Sequence, residues 1–368
     1  MEILEYFYEN KPEILKFYNR KTELENGRTI LYGAIGSGKS YIMINKLLEF
    51  ENDEILYINF ADFRVNVSEI LKDLDKFLQK NSQISVLGLD NLNEILNDEI
   101  EILDKILKIR KIENIFITTR LKNLNFKNFT QLEIFPLSFE EFILFDRRND
   151  VNAAFSTFLQ RGNSAKNAFL QNFQIIQNEQ IGIKSSFRQN EIEILKAISK
   201  YNGEILSINK IYTELKEKFK ISKDSVYGAI YRFENENIIN FIPKFNDFKA
   251  AKKIYFSNFN FGEIFSLKKD FHKKFANAVY CELRAIQLGE IFYNKDFDFL
   301  IPKRNMAFLI IPFSASDIVF LRFKKLINTC KSLKIIRVNV ISMANSGTME
   351  IEGIKCEVVP FYEFALGL

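Results

Sequence analysis

The run Gly33-Ala34-Ile35-Gly36-Ser37-Gly38-Lys39-Ser40 constrains this chain more than any other stretch. It matches G-x-x-x-x-G-K-[ST], a loop whose backbone N–H groups cradle phosphate oxygens. In such a loop the lysine reaches the β- and γ-phosphates and the following hydroxyl ligates Mg²⁺. The glycines let backbone approach phosphate closely and tolerate φ > 0. The flanks suit the motif. Thr29-Ile30-Leu31-Tyr32 has the character of a short buried strand, and residues 40–50 carry apolar side chains at helical spacing. A helix starting there directs roughly half a positive charge at the phosphate. Gly33 through Ser40, with Tyr41 in the first helical turn, are the expected nucleotide-contacting residues.

An alternating series follows. Residues 54–60, 83–90 and 114–120 are β-rich apolar runs, and 67–78 and 98–111 have helical spacing. Strands alternating with helices imply a parallel sheet covered on both faces, with ligands at the carboxyl ends of the strands. Gly33, Asp90 and Thr118 all fall at such ends. Residues 1–26 have an amphipathic helical pattern, 132–138 a further strand and turn, and Ser138 with Glu141 the pattern of a capped helix start. Residues 150–185 are helical and rich in Asn, Gln and Ala. Beyond them come three helical segments (one opened by a capping box at Asn190 and Glu193) and two alternating strands at 238–241 and 253–256, the order of a winged helix. The remainder carries a helix at 270–288 and strands at 291–293, 297–301, 307–311, 335–340 and 357–359. The expected domains are therefore 1–149, 150–185 as a helical lid or connector, 186–262 and 263–368.

Composition narrows the chemistry. Three cysteines far apart give no disulfide framework and no metal-ligand spacing, which points to a reducing cytoplasm. A single histidine, His272, disfavours Ser-His-Asp, Cys-His and His-based zinc chemistry. The acidic start Met1-Glu2-Ile3-Leu4-Glu5 lacks the basic region of a secretory signal, and no apolar run reaches the ~20 residues of a membrane span. A soluble chain without a membrane partner is expected. Net charge is +4 overall but uneven, at −4 over residues 1–185, +4 over 186–262 and +4 over 263–368. The basic second half suits an anionic partner.

Within the first domain, Asp90 closes the strand Val86-Leu87-Gly88-Leu89 and is expected to hold Mg²⁺ with Ser40. Asn91 follows it, and an amide cannot act as a general base, a loss worth about 10²–10⁴ in rate. Glu94 is the substitute if it lies one helical turn on. Thr118, Thr119 and Arg120 end the neighbouring strand, where a hydroxyl and a guanidinium can report the γ-phosphate.

The phosphate loop, the strand ending Leu89-Asp90, the Thr118-Thr119-Arg120 group and Phe135-Pro136-Leu137-Ser138-Phe139-Glu140-Glu141-Phe142 together resemble the archaeal-type AAA-like ATPases of the STAND class. The P-L-S-F-x-E-F element carries the specificity of that resemblance. It implies an α/β fold: a P-loop NTPase parallel sheet with a helical lid, then a winged helix, then a restriction-endonuclease-like α/β domain. It implies ATP and Mg²⁺ as cofactors and a nucleotide switch as function, with duplex DNA or a protein as partner and a homo-oligomer as an allowed state. Two departures, Asn91 where an acid is usual and Phe129-Thr130 where Gly-Arg often stands, imply slow hydrolysis. Arg147 and Arg148 are candidates to complete a neighbouring subunit's site.

On the winged helix, Lys223, Ser225, Tyr227 and Arg232 are the groove-facing candidates, and Lys249 and Lys252 the wing contacts. Interaction without DNA is the competing expectation. In the last domain Asp298 fits the first acid of a nuclease centre, but Ala307-Phe308-Leu309-Ile310-Ile311 supplies neither the acid nor the lysine that the next strand would need. That domain is expected to be inactive.

Overall fold

The computed structural model describes residues 1–14, 19–145 and 150–367. The chain divides into two compact units, Met1–Pro136 with Asn235–Asn237, and Leu137–Glu234 with Ile238–Leu368.

The first unit contains α1 (Glu2–Glu9), β1 (Arg28–Tyr32), α2 (Lys39–Leu47), β2 (Ile55–Asn59), α3 (Val67–Lys80), β3 (Val86–Asp90), α4 (Asn97–Arg110), β4 (Asn114–Thr119) and β5 (Thr130–Glu133). Among the described residues its sheet has the order β2-β3-β4-β1-β5, parallel throughout. This is the strand arrangement of a P-loop NTPase, with the phosphate loop between β1 and α2. Strands β2, β3 and β4 are buried along almost their whole length because both faces are covered; every residue of β3 is buried. Amphipathic helices supply the cover. α3 buries Ile70, Leu71, Leu74, Phe77 and Leu78 at helical spacing, each contributing about 1.5–3 kcal/mol. Asn66 caps it by accepting from the Glu69 amide at 3.2 Å. The register sets Thr118 beside Leu31 and Thr119 beside Tyr32, so the polar end of β4 lies next to the strand that feeds the loop.

The second unit begins with α5 (Phe139–Phe145), α6 (Val151–Arg161), α7 (Asn172–Ser186), α8 (Gln189–Ser199), α9 (Ile208–Lys216) and α10 (Lys223–Asn235), whose last residue falls in the first unit. The antiparallel hairpin β6 (Ile239–Ile242) and β7 (Lys253–Phe256) follows. Then come α11 (Phe261–Phe265), α12 (Phe271–Ile286), β8 (Phe299–Ile301), β9 (Met306–Ile310), α13 (Ser316–Ser332), β10 (Arg337–Ser342), β11 (Gly347–Ile351), β12 (Ile354–Pro360) and α14 (Phe361–Leu366). Strands β8–β12 form a mixed sheet ordered β11-β12-β10-β9-β8. The abundant phenylalanines find their use here: Phe139, Phe155, Phe158 and Phe361 form one buried ring cluster, with Phe155 stacked on Phe361 at 4.8 Å.

The helix start at Ser138 is as expected, its hydroxyl accepting from the Glu141 amide at 3.2 Å while Glu141 accepts from the Ser138 amide at 3.1 Å. Other local expectations are corrected. The N-terminal helix stops at Glu9, because Pro12 disfavours helical geometry in the residue before it. The strand expected at 132–138 is Thr130–Glu133, ending where its pairing with Tyr32 ends. The box opening α8 uses Arg188 and Glu191, not Asn190 and Glu193: the Arg188 amide donates to Glu191 at 2.8 Å. Residues 291–293 make only isolated bridges, because the Asn294 side chain accepts from the amides of Asp296 and Phe297 and turns the chain. No helix among the described residues is long and apolar enough to cross a membrane.

Candidate nucleotide site

The loop's glycines answer to geometry. A Cβ on Gly33 would stand 2.3 Å from the Ile134 carbonyl oxygen, so any side chain there collides with backbone. Gly38, at φ +91°, turns the chain in the left-handed region directly into α2. Lys39 is therefore the first residue of α2, and the unsatisfied N–H groups of that helix start lie at the loop.

Lys39 is buried, and its Nζ donates to the Gly33 and Ala34 carbonyls, both at 2.8 Å, and to Ser37 Oγ at 3.4 Å. The ammonium thus rests on the loop's own oxygens. Burial, and after it the positive charge of Arg120, push its pKa down to about 7, with Asp90 acting in the opposite sense.

Three hydroxyls converge on Asp90. Ser40 Oγ donates to Oδ1 at 2.8 Å, Thr118 Oγ1 donates to the same oxygen, and the Tyr57 phenol donates to Oδ2 at 2.8 Å. Burial, then the carboxylate's charge and hydrogen bond, hold the Tyr57 phenol strongly protonated. Thr118 also accepts from the Asn91 amide at 2.8 Å. Asn91 has φ +59°, and its side-chain amide donates to Asn59 Oδ1 at 3.1 Å, occupying the place after Asp90 where a base would be sought. The neighbouring Thr119 hydroxyl accepts from the Leu121 amide at 3.2 Å and shapes the turn after β4.

Lys39, Ser40, Asp90 and Thr118 are brought together, and Arg120 lies near enough for its charge to act on Lys39. Glu94 is exposed on a segment without helix, since α4 starts only at Asn97; the expected position one helical turn after Asp90 is not realised. The reason is local: the left-handed Asn91 sends the chain into a turn in which the Leu92 amide bonds the Thr118 carbonyl. Tyr41 is 57% exposed and lies on the outer side of α2, whereas Ala34 is buried and Ile35 and Gly36 are half-buried in the loop.

Sequence reasoning missed three residues. Tyr57 was concealed in an apolar strand. Arg20, before β1, donates to the Ser37 carbonyl at 2.7 Å and the Phe135 carbonyl at 2.9 Å, tying the phosphate loop to the end of the first unit. Glu236 pairs with Arg120, with Oε2 3.2 Å from Nε. No local signal marks Arg20 or Glu236. The phenol in an otherwise apolar buried run, whose hydroxyl must find a partner, is the signal for Tyr57.

In the second unit Lys223, Ser225 and Tyr227 are exposed on α10, with the Lys223 ammonium 5.8 Å from the Tyr227 ring centre. Lys249 and Lys252 are exposed in the hairpin loop. Arg232 is half-buried and paired with Glu191 at 2.8 Å. Asp298 accepts from the Ile310 amide at 2.9 Å, Asp296 from Thr329 at 3.4 Å, and buried Glu282 from the Phe139 amide at 2.6 Å. Among the described residues no group of three or more His, Cys, Asp or Glu side chains is placed to hold a metal. Arg147 and Arg148 lie outside the described residues.

No protein-family model matches the chain. An uncharacterized protein of Methanocaldococcus jannaschii is 27% identical over 420 residues, covering 95% of this chain and 91% of that one. Similar solved structures include a STAND-class signal-transduction ATPase with a tetratricopeptide repeat sensor from Pyrococcus horikoshii, at 17% identity and TM-score 0.32. The match takes in 74% of this chain, which spans only 46% of that one. A Walker-type ATPase of Pyrococcus abyssi matches at 13% identity and TM-score 0.46, over 64% of this chain and 90% of that one. The Orc1 protein of Aeropyrum pernix, solved in complex with DNA, matches at 14% identity and TM-score 0.32, over 64% of this chain and 84% of that one. At these TM-scores the likenesses carry no functional weight.

Proposed function

We propose that the chain is an ATP-binding P-loop protein of AAA-like type with slow ATPase activity, acting as a nucleotide switch. One observation carries this reading: a buried lysine held on the carbonyls of its own phosphate loop, beside a Ser40–Asp90 pair at the start of α2. A buried ammonium resting on carbonyl oxygens is suited to exchange them for phosphate oxygens, which carry full negative charge. The loop N–H groups and the start of α2 would bind the phosphates. Ser40 and Asp90 would hold Mg²⁺, whose charge screens the phosphates when it is bound. The donor set fits that ion: one hydroxyl and one carboxylate, oriented by Tyr57 and Thr118.

Slow turnover follows from Asn91. Its side chain cannot accept a proton from water, and Glu94 lies exposed on a loop. Thr118 and Arg120 remain as groups able to orient water or meet the γ-phosphate. ATP binding would act on the turn after Thr119, which the Thr119 hydroxyl already shapes through the Leu121 amide.

Residues 186–262 are read as a winged helix, a reading supported by the succession of α8, α9, α10 and the β6–β7 hairpin. Residues 263–368 are read as a nuclease-like domain without activity, since β9 carries neither acid nor lysine and Asp298 is bonded to the Ile310 amide. Duplex DNA is the partner tested first, through Lys223, Ser225, Tyr227, Lys249 and Lys252. Arg232 contributes less, because Glu191 neutralises it. That pair, with Tyr227 and Tyr231 exposed on the same helix, favours a second reading, a nucleotide-stabilised protein-interaction scaffold.

Thermal unfolding tests the core of the proposal. Mg-ATP at about 100 times its Kd adds about 2.7 kcal/mol to the native protein and nothing to Lys39→Ala. An equal shift in both proteins refutes it.

A further inference from the structure

We infer that Glu236 is the positioning residue for Arg120 and that the pair allows the site to tell a triphosphate from a diphosphate. The inference rests on the ATP-binding reading above. Residues Asn235–Asn237 belong to the first unit, although the segments on either side of them belong to the second. They are bound to the stretch that leaves β4 at three places. Glu236 pairs with the Arg120 guanidinium, the Asn237 side-chain amide donates to the Arg120 carbonyl at 3.0 Å, and the Lys122 amide donates to the Asn235 carbonyl at 2.9 Å. Side chain and main chain of Arg120 are thus held from one turn, more than 110 residues away in sequence.

Two physical points give this contact a role. The first is reach. Arg120 follows β4 directly, and the last residue of β4, Thr119, is paired with Tyr32, the residue that enters the phosphate loop, so the guanidinium is carried by the strand end beside that loop. A group at the end of β4, two residues beyond the Thr118 that touches Asp90, is where charge on a third phosphate is met.

The second point decides between holding and competing. Glu236 could draw Arg120 away from phosphate, or fix it in place for phosphate. The Glu236 side chain is only 4% exposed and that of Arg120 13%. If Arg120 left for the nucleotide, a carboxylate would remain buried with its cation gone, which is strongly unfavourable. The pair therefore stays made. Glu236 approaches the guanidinium at Nε, the side nearest the stem, and so holds the charge near the turn without requiring the terminal nitrogens to leave.

The test is calorimetric titration of Mg-ATP and Mg-ADP into the full chain carrying Glu236→Gln, Arg120→Gln, both changes together, or Glu236→Asp. ADP affinity in each variant reports that the loop is folded. The native protein should prefer ATP. Each Gln variant should lower the ATP-to-ADP affinity ratio by about tenfold, the double variant should lose no more than either single one, and Glu236→Asp should lie between. A rise in ATP affinity in Glu236→Gln would mean competition and overturn the inference. So would an unchanged ratio in both Glu236 variants while Arg120→Gln loses its preference, or losses that simply add. If the native chain binds neither nucleotide, the ATP-binding reading falls and takes this inference with it; every other failure leaves that reading intact.

Discussion

Asp90 and Asp298 are both acids beside a sheet, and they differ in what their oxygens meet. Asp90 accepts only hydroxyl donors in the described contacts: Ser40, Thr118 and Tyr57. A hydroxyl can rotate its proton away and offer a lone pair, so this carboxylate can exchange partners when a cation arrives without any strand moving. Asp298 accepts from the Ile310 amide, at the end of β9. A backbone donor cannot rotate; releasing it would leave an amide unpaired at the end of a strand. On the proposed function the first acid serves a ligand, whereas the second serves the fold. The identity of the donors, more than the presence of a carboxylate, separates the acid proposed to hold Mg²⁺ from the one that ties down a strand end.

The largest test of that contrast is at glycines. Gly33→Ala places a methyl group against the Ile134 carbonyl and should cost about 1–3 kcal/mol in urea unfolding, with loss of the Mg-ATP shift. Gly228→Ala, in α10 of the second unit with nothing within 4 Å of the new Cβ, should stabilise by about 0.5–1 kcal/mol and leave nucleotide binding unchanged. Equal effects at both positions would remove the distinction.

The acids themselves come next. Asp90→Asn should weaken Mg-dependent ATP binding by about 10–100-fold, read by titration with and without Mg²⁺. Asp298→Ala should leave that binding untouched and cost about 1–2 kcal/mol of stability through the stranded Ile310 amide. A loss of nucleotide affinity on removing Asp298 would contradict the assignment.

The smallest effect is a titration. Lys39 ordinarily has a pKa of 10.5, and in the folded chain it is lowered to about 7. Between those values the unfolded chain binds more protons, so stability from this group rises with pH across the window and is lost as pH falls through about 7. Lys39→Met should flatten that slope in pH-dependent melting. Phosphate binding needs the charged amine, so titration of ATP near pH 8.5 should take up about one proton, seen as a buffer-dependent heat. A heat independent of the buffer's ionisation enthalpy would show that the lysine was already charged.

Much of the first unit was legible in the chain. The loop, the strand ending in Asp90 and the polar end of β4 are encoded in windows of five to eight residues, because glycine geometry and aliphatic periodicity are local properties. The second unit was less so. Helix α13 and strand β11 passed unnoticed, although Val319, Phe323 and Leu326 have helical spacing, and Phe292 was taken for a strand residue when the Asn294 turn leaves it a single bridge. Glu94 was misplaced for a similar reason, since nothing in the residue order announces that Asn91 adopts φ +59°.

What the sequence determined by itself was the phosphate loop, the alternation of strands and helices along the chain that implies a parallel sheet, and the absence of a base after Asp90. The tertiary structure decided which groups surround those residues: Tyr57 on Asp90, Arg20 bridging Ser37 and Phe135, and Glu236 on Arg120. The reason is the range of the forces concerned. A turn or a helix answers to its neighbours in the chain, while an ion pair across more than 110 residues exists only once strand register and packing have brought its two halves to the same place.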